Sequence, residues 1–294
     1  MRSSLLKRYI VHFLNAAWNL FVIFPVMAVF FASFQSEEAL MTDLNTFIPI
    51  ELTLDNFRLI LSGGESAGSS YALQDYLPDT IKHIYIAFSN SIAISLSVTF
   101  LTVMCGAFTA YTVVRLRLRW TLWLLQANVF ARFVPILVLI IPLYVVMRQI
   151  GLLNSLTGVI IAKTGFLLPF SILILTPYFE SIPSEIEDAA RIDGSTRFGA
   201  FFRILLPLAT PGIVSCAVIM FIVSWHELII TLILNSRVQF MTLPVVLASM
   251  VGETQTFFNL IMAIALIALL PSVILVLLLQ KYVVKGLSAG ALKG

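Results

Sequence analysis

The stretch "SEIEDAARIDGSTRFGAFFRILLP", residues 184–207, is the most polar run in the second half of a chain that is otherwise almost entirely apolar. Ser184 stands where a helix N-cap is expected, and Glu187 three residues later completes a capping-box pattern. Gly194 is the residue type that adopts the left-handed conformation at a helix end. The spacing therefore predicts a short helix that begins near Ser184 and ends at Gly194.

A second short helix is predicted directly after this glycine. Ser195 or Thr196 can cap it, and large apolar residues then recur at helical spacing: Phe198, Phe201, Phe202 and Leu205. Two short helices that meet at a glycine form an angled knob, whose first helix carries a small apolar stripe of Ile186, Ala189 and Ala190 flanked by acids. Such a knob suits a groove on another protein. An ordinary loop at the membrane surface, with solvated acids, is the alternative interpretation.

The composition of the chain indicates a membrane protein. Hydrophobic residues make up 60% of the sequence and charged residues 11%, and the mean hydropathy is +1.00. That leaves too little polar surface to close over a water-soluble core of this size. Because a spanning segment must satisfy its own backbone hydrogen bonds, each apolar run is predicted to be a helix, and the fold class is all-α.

Six transmembrane helices are predicted from the apolar runs. They lie at about 9–34, 87–113, 120–147, 157–179, 208–234 and 258–280. Residues 1–294 would then form a single multi-pass transmembrane domain. It would have a long external loop at about 35–82 and the polar loop, at about 180–207, between spans 4 and 5.

The basic residues predict the orientation of these spans. Most of the 18 Lys and Arg residues fall in four groups on one face of the topology: Arg2, Lys7 and Arg8; Arg115, Arg117 and Arg119; Arg191, Arg197 and Arg203; Lys281, Lys285 and Lys293. The positive-inside rule makes this face cytoplasmic. Both termini and the polar loop are therefore expected in the cytoplasm, and the loop at 35–82 outside.

The spacing within the polar loop matches a known pattern. From Asp188 the chain reads Asp-Ala-Ala, three residues, Gly194, nine residues, Ile204, one residue and Leu206-Pro207. This resembles the EAA loop in the permease subunits of bacterial ATP-binding-cassette importers, in its expected place before the penultimate span. Asp188 departs from the pattern, because it stands where the family has the longer glutamate.

The resemblance covers nearly the whole chain and is greatest to the carbohydrate-uptake branch. "LTLDNF" in the first external loop, "SWHEL" in span 5 and the terminal "KGLSAGALKG" are similar to that branch. The number and order of spans agree with the smaller membrane subunit of the maltose importer and its relatives. His226 is a second departure, because relatives commonly have Asn after the Trp.

The resemblance implies that residues 184–196 form a coupling helix that docks in a cleft of a cytoplasmic ATPase subunit. The coupling residues implied are Glu187, Asp188, Ala189, Ala190, Asp193 and Gly194. Either Glu187 or Asp188 would pair with a basic residue of the ATPase, Gly194 would permit the bend, and the two alanines would permit close approach. Closure of two ATPase subunits would then switch the pathway, and the terminal "GLSAGALKG" would also reach the ATPase.

The partners implied by the resemblance are a second homologous permease, two ATP-binding-cassette ATPase subunits and an extracytoplasmic sugar-binding protein that docks at 35–82 and near 235–257. The chain has no GxxxxGK[ST] phosphate loop, so it is not expected to be an enzyme or to bind a cofactor. ATP and Mg belong in the partner ATPase. No charge run suggests nucleic acid. The chain is expected to lie in the bacterial plasma (inner) membrane, in contact with membrane lipid.

Ionisable residues inside the predicted spans are candidates for the transport pathway, because burying charge in a bilayer is costly. They are Arg132, Lys163, His226 and Glu227. Each also has a structural interpretation: Lys163 can snorkel from the external end of span 4, Arg132 can anchor near the cytoplasmic side, and the other two can hydrogen-bond neighbouring helices.

Neutral pathway candidates follow from the chemistry of sugars, which favours aromatic faces with hydrogen-bonding groups. Trp225 and His226 in span 5, with Ser89 and Asn90 in span 2, are predicted to line the pathway. If Arg132, Lys163 and His226 converge, an anionic sugar becomes a plausible cargo. In either case the cargo is expected to be a sugar or a sugar derivative.

Two other classes of protein compete with the importer permease. An ion-coupled secondary transporter or channel usually keeps acids within its spans, yet no Asp or Glu lies between Asp79 and Glu180, which leaves Glu227 as its main candidate. A membrane-embedded enzyme lacks a catalytic set here, and no metal-ligand cluster stands out; Cys105 and Cys216 are expected to be apolar fillers. Neither class explains the fully spaced polar loop.

Overall fold

The computed structural model describes residues 2–42, 52–63, 79–116, 119–131, 133–251 and 256–291. Over these ranges the regular structure is helical, apart from an isolated β-bridge between Val251 and Thr256. The helices are α1 (Arg2–Ser33), α2 (Glu37–Thr42), α3 (Asp55–Leu61), α4 (Ile84–Leu116), α5 (Arg119–Ala131), α6 (Ile136–Gln149), α7 (Leu156–Ser181), α8 (Ser184–Ile192), α9 (Arg197–Ala200), α10 (Leu206–Leu208), α11 (Thr210–His226), α12 (Ile229–Leu234), α13 (Leu243–Ser249) and α14 (Phe258–Ala291). A π-helical turn, Phe201–Leu205, joins α9 to α10. The predicted all-α class is confirmed.

Four helical stretches are long and apolar enough to cross a bilayer: Lys7–Ser33, Ile81–Leu116, Leu156–Ser181 and Phe258–Tyr282. Two bent helix pairs raise the number to six if each pair is one span: Leu125–Ala131 with Ile136–Gln149, and Arg197–Leu208 with Thr210–His226. The continuous helices predicted over 120–147 and 208–234 are therefore wrong. The first run is divided between α5 and α6, and α11 ends at His226 before α12 begins.

The bend of 77° before α11 has an identifiable cause. In a continuous helix the amide of Pro211 would donate to the carbonyl of Pro207, but proline has no N–H. Thr210 Oγ1 donates to that carbonyl instead, over 2.6 Å. Pro211 thus separates α10 from α11, and the side chain of Thr210 satisfies the carbonyl of Pro207, which has lost its helical partner.

The chain forms two compact units. The first is Met1–Tyr85 with Val246–Leu270, and the second is Ile86–Val245 with Pro271–Gly294. The single permease domain expected over 1–294 stays a prediction.

The first unit is organised around Asn56 of α3, which is fully buried. Its Nδ2 donates to the carbonyls of Ser33 and Gln35, each over 2.8 Å. Its Oδ1 accepts from Nδ2 of Asn259, also over 2.8 Å. Ser33 ends α1, so Asn56 satisfies carbonyls that a helix C-terminus leaves without a partner. The "LTLDNF" stretch therefore has a structural role in this unit.

The second unit has a core in which α4, α7 and the region around α11 pack together. The rings of Phe179 and Phe201 are stacked with centroids 6.0 Å apart, and the ring of Tyr111 lies 4.9 Å from that of Phe201. A Cβ on Gly212 would overlap the ring of Tyr178, so α7 and α11 approach each other more closely than a larger residue would permit. This core supports the polar loop that follows α7.

Candidate functional site

The polar loop folds as two short helices, α8 and α9, that meet at Gly194. Gly194 has φ +88°, in the left-handed region, so its predicted conformation is confirmed. Its amide donates to the carbonyl of Arg191, and the amide of Ser195 donates to that of Ala190, over 3.1 and 2.9 Å. These two bonds form a Schellman motif, which satisfies carbonyls at the end of α8.

The start of each short helix tests the predicted caps. Thr196 caps α9, because its side chain accepts the amide of Gly199 over 3.1 Å. The capping box predicted for α8 is wrong: Pro183 is the N-cap residue, and α8 has no side-chain cap bond. Pro183 sets the turn by its fixed φ rather than by a hydrogen bond, which leaves the carboxylate of Glu187 free to turn inward.

Glu187 holds α8 against α4. Its Oε1 accepts from the hydroxyl of Tyr111 over 2.8 Å, and its Oε2 lies 3.2 Å from Nε of Arg115. Arg115 also donates from Nη2 to the carbonyl of Ile182, over 2.8 Å, at the end of α7. These charge-assisted contacts are mostly buried, so they fix the loop on two helices at once.

The outer surface of the knob carries a different set of the predicted residues. Asp188, Ala189, Asp193 and Gly194 are exposed, whereas Glu187 and Ala190 are buried. The six predicted coupling residues therefore divide into an outward-facing group and an inward-facing group. Asp188 offers a free carboxylate to a partner, while that of Glu187 is already engaged within the chain.

The pathway candidates Lys163 and Glu227 form a buried ion pair. Lys163 is 1% exposed, and its Nζ lies 3.2 Å from Oε2 of Glu227. The same Nζ donates to the carbonyls of Ser224 and Glu227, over 3.1 and 3.2 Å. The snorkelling interpretation of Lys163 is therefore wrong, because the ammonium group points into the protein and finds its partners there.

Two of the remaining pathway candidates, Trp225 and Asn90, are buried and engaged within the protein. Trp225 is 1% exposed, and its ring lies against those of Phe88 and Phe221, so it presents no face to a sugar in this structure. Asn90 is also buried, and its Nδ2 donates to the carbonyls of Gln239 and Met241, over 3.0 Å each.

His226 and Ser89 are the neutral candidates with exposed side chains. Nε2 of His226 lies 3.0 Å from Oγ of Ser272. Arg132 lies outside the described residues, so its predicted convergence with Lys163 and His226 stays a prediction.

Sequence reasoning missed Tyr111 and Arg115 as parts of the site. Arg115 was counted only among the basic residues that predict orientation, and Tyr111 lies in an apolar helix without a motif. A charged residue one turn after a tyrosine, on one helix face, was the available signal. It could not have named Glu187 as the shared partner.

Comparison with known proteins agrees with this architecture. Residues 102–289 match the family described as "Binding-protein-dependent transport system inner membrane component". The chain belongs to this family of transport permeases. The permease is a multi-pass protein of the inner membrane and a transport component, not an enzyme. The predicted resemblance to permease subunits of carbohydrate importers is confirmed, in preference to the ion-coupled transporter or channel.

Two relatives and one solved structure resemble the permease along most of its length. The sulfoquinovosyl glycerol transport system permease protein SmoH of Agrobacterium fabrum is 33% identical, over 92% of this chain and 89% of its own. The trehalose transport system permease protein SugB of Mycobacterium tuberculosis is 32% identical, over 93% of each. A chain from the crystal structure of a bacterial ABC transporter that imports the acidic polysaccharide alginate has a TM-score of 0.78 at 20% identity, over 96% of this chain and 98% of that one, and so shows the same fold.

Proposed function

We propose that the permease forms half of the translocation pathway of an ATP-driven sugar importer. A second homologous permease supplies the other half, and two cytoplasmic ATPase subunits bind ATP and Mg. An extracytoplasmic sugar-binding protein delivers the cargo to the external loops at 35–82 and 235–257. Both termini lie in the cytoplasm, and the C-terminal tail also contacts the ATPase. The family and the distribution of basic residues support this arrangement.

The observation that carries the proposal is the division of the knob into an anchored side and a free side. Glu187 ties α8 to Tyr111 and Arg115, while Asp188 and Ala189 face outward. A rigid element with a free carboxylate and a small side chain fits a cleft that carries a basic residue. Asp188 is thus the coupling acid in this proposal, and Asp193 and Gly194 complete the exposed end of the knob.

The anchoring also explains how ATPase closure would reach the spans. A displacement of α8 acts through Glu187 on Arg115 in α4, and Arg115 in turn holds the carbonyl of Ile182 at the end of α7. Because packed helices shift as units rather than deforming continuously, these contacts would pass the movement to both helices.

The proposed cargo is a sugar or a sugar derivative. The names of the relatives include both a neutral disaccharide and an anionic sulfonated sugar. Lys163 does not favour an anion, because Glu227 already compensates its charge. An anionic cargo would need another cation on the pathway, with Arg132 as the candidate. Exposed His226 and Ser89 are the neutral contacts that this chain offers.

ATP-driven uptake tests the proposal. The complete importer with its binding protein is reconstituted in liposomes, and uptake of radiolabelled trehalose and sulfoquinovosyl glycerol is measured for Asp188→Lys, Gly194→Asp and wild type. Co-purification of the ATPase is followed in parallel. Glu180→Lys is the matched control, because Glu180 is an exposed acid just before α8 and undergoes the same change of charge.

We expect the two knob variants to lose uptake, together with ATPase binding or coupling, and Glu180→Lys to retain both. Full uptake and full attachment in both knob variants would contradict the assigned role of the knob. Absence of ATP-dependent uptake of any sugar by the wild-type complex would contradict the proposed function itself.

A further inference from the structure

The fifth span is interrupted between α11 and α12. Helix α11 ends at His226, Glu227 is extended with φ −73° and ψ 120°, and α12 begins at Ile229. With 17 residues, α11 rises only about 25 Å at about 1.5 Å per residue, which is short of the roughly 30 Å hydrocarbon core. The interruption, residues 226–229, is called here the break, and it falls within the apolar part of the chain.

A continuous helix would form four backbone hydrogen bonds across the break, from the amides of residues 228–231 to the carbonyls of residues 224–227, and two of these are replaced by side-chain contacts. The amide of Leu228 would donate to the carbonyl of Ser224, and the amide of Ile230 to that of His226, in the i to i−4 pattern. In the structure Nζ of Lys163 donates to the carbonyl of Ser224, over 3.1 Å. Oε1 of Glu227 accepts the amide of Ile230, over 2.7 Å. One partner from each of these two bonds is therefore satisfied by a charged side chain.

The two side chains also neutralise each other. Nζ of Lys163 lies 3.2 Å from Oε2 of Glu227 and donates to the Glu227 carbonyl over 3.2 Å. Irregular backbone persists at membrane depth only where its polar groups are matched, within protein or along a water-filled cavity. The Lys163–Glu227 pair, called here the clasp, supplies that matching. Since the two charges cancel, the break carries no net charge.

The burial pattern shows which side of α11 the break disturbs. Phe221, Ser224 and Trp225 are buried, at 5%, 1% and 1% exposure. In a continuous helix residue 228 would share their face, because it follows them by seven, four and three positions. Leu228 is instead only partly buried, and the neighbouring His226 is exposed. The break therefore keeps Leu228 partly out of the packed core, next to the exposed His226.

We propose that Lys163 and Glu227 are positioning residues that hold the predicted fifth span, residues 208–234, open at the break, so that His226 and Leu228 line a water-filled section of the transport pathway. The inference rests on the proposed function as a permease. Discontinuous helices in transporters bring main-chain groups to the pathway, and here the carbonyl of His226 and the amide of Leu228 leave the helical ladder. Main-chain carbonyls and amides of this kind hydrogen-bond the hydroxyl groups of a sugar.

Thiol labelling tests the proposal on the complete importer in liposomes, without ATP or cargo. Leu228→Cys is placed in a background of Cys105→Ser and Cys216→Ser. The cationic reagent MTSET and the anionic reagent MTSES, neither of which crosses membranes, report whether water reaches the break. The matched control is Cys105→Ser alone, which keeps Cys216, a buried thiol of α11.

With the clasp intact we expect Leu228→Cys to react with both reagents at similar rates, each relative to the rate of that reagent with a free thiol in solution, and Cys216 to remain unlabelled. An unreactive Leu228→Cys would overturn the proposal, since the break would then be enclosed in protein. A strong preference for one sign of reagent would also overturn it, because the break would not be neutral.

The role of the clasp is tested by adding Lys163→Met together with Glu227→Gln. The double substitution removes both charges, so it leaves no unpaired buried ion. We expect loss of labelling at residue 228, because the span can continue as a helix and carry that residue onto the buried face. Unchanged labelling would show that the clasp does not hold the break.

Labelling with the clasp intact decides the first part of the proposal even if the double variant does not assemble. The labelling readout is also independent of uptake. Labelling as expected in an importer that takes up no sugar would contradict the proposed function, while the role of the clasp in keeping the break open to water would stand.

Discussion

Two buried ion pairs in the second unit invite comparison, because they use the same chemistry for different ends. Arg115 and Glu187 lie 3.2 Å apart beneath α8, and Lys163 and Glu227 lie 3.2 Å apart at the break. In both pairs the cation also donates to carbonyls at a helix C-terminus: Arg115 to the carbonyl at the end of α7, and Lys163 to two carbonyls at the end of α11.

The pairs differ in what the carboxylate holds. Glu187 accepts from the side chain of Tyr111, so it joins one complete helix to another. Glu227 accepts from the main-chain amide of Ile230, so it replaces a bond within an interrupted span. The Arg115–Glu187 pair therefore positions α8, a helix that is already complete. The Lys163–Glu227 pair supports backbone at the break that has left the helical hydrogen-bond pattern. Loss of the second pair should therefore lower the free energy of unfolding more than loss of the first.

The largest effect is expected for Lys163→Met. This change leaves the carboxylate of Glu227 unpaired in a buried site and removes the donor to two carbonyls, so we expect the free energy of unfolding to fall by about 3–5 kcal/mol. Thermal denaturation of the purified complex in detergent measures it. Lys7→Met, the same change at an exposed lysine, should stay within about 0.5 kcal/mol. Equal melting temperatures for the two variants would remove the proposed difference.

Arg115→Met should have a smaller effect than Lys163→Met. Glu187 keeps its hydrogen bond from Tyr111, and α8 keeps its own backbone bonds, so the expected loss is about 1.5–3 kcal/mol, typical of a hydrogen bond to a charged group. ATP-driven uptake should also fall, because α8 loses the contact between Arg115 and Glu187 that fixes it to α4. Arg191→Met, at an exposed arginine of α8, is the control. A decrease in the free energy of unfolding as large as that of Lys163→Met would contradict the proposed difference between the two ion pairs.

Gly194→Ala tests the backbone of the knob separately from its ion pair. The new Cβ would meet nothing within 4 Å, so no clash is expected. The φ of +88° nevertheless costs an L-residue about 1–2 kcal/mol. Gly199→Ala in the helical part of the same loop should be neutral or slightly stabilising. Uptake and thermal denaturation measure both variants, and identical behaviour would argue against the strained turn.

The smallest effect is expected from the helix cap. Thr196→Ala removes the side chain that accepts the amide of Gly199, which should cost about 1 kcal/mol. Ser184→Ala should change the melting temperature little, since α8 has no side-chain cap bond. A larger fall in melting temperature for Ser184→Ala than for Thr196→Ala would support the capping box predicted at Ser184 and contradict the structure.

The parts of the site that were predicted correctly depend on residues close together in the chain. The turn at Gly194 requires only a glycine after a short helix, and the cap at Thr196 requires only a hydroxyl three residues before an amide. The capping box failed because Glu187 found stronger partners on α4. A carboxylate can serve a local amide or a distant arginine, and the local pattern does not show which is present.

The interrupted span was missed for a similar reason. No proline or glycine lies between His226 and Ile229, so the apolar run reads as one continuous helix. The signal was the combination of Lys163 in one span with Glu227 in another. Each was a candidate by itself, but their pairing joins residues far apart in sequence.

The sequence by itself determined the membrane class, the all-α fold, the permease family and the local bend of the knob. The class, the fold and the bend follow from composition and from patterns within a few residues, where covalent geometry limits the possible conformations, whereas the family follows from the resemblance of the sequence to known permeases. Only the tertiary structure decided which acid faces outward, which is anchored inside and where the fifth span breaks. Those outcomes depend on which charges meet when distant helices pack, because a buried charge must find a partner and the chain order does not specify which one.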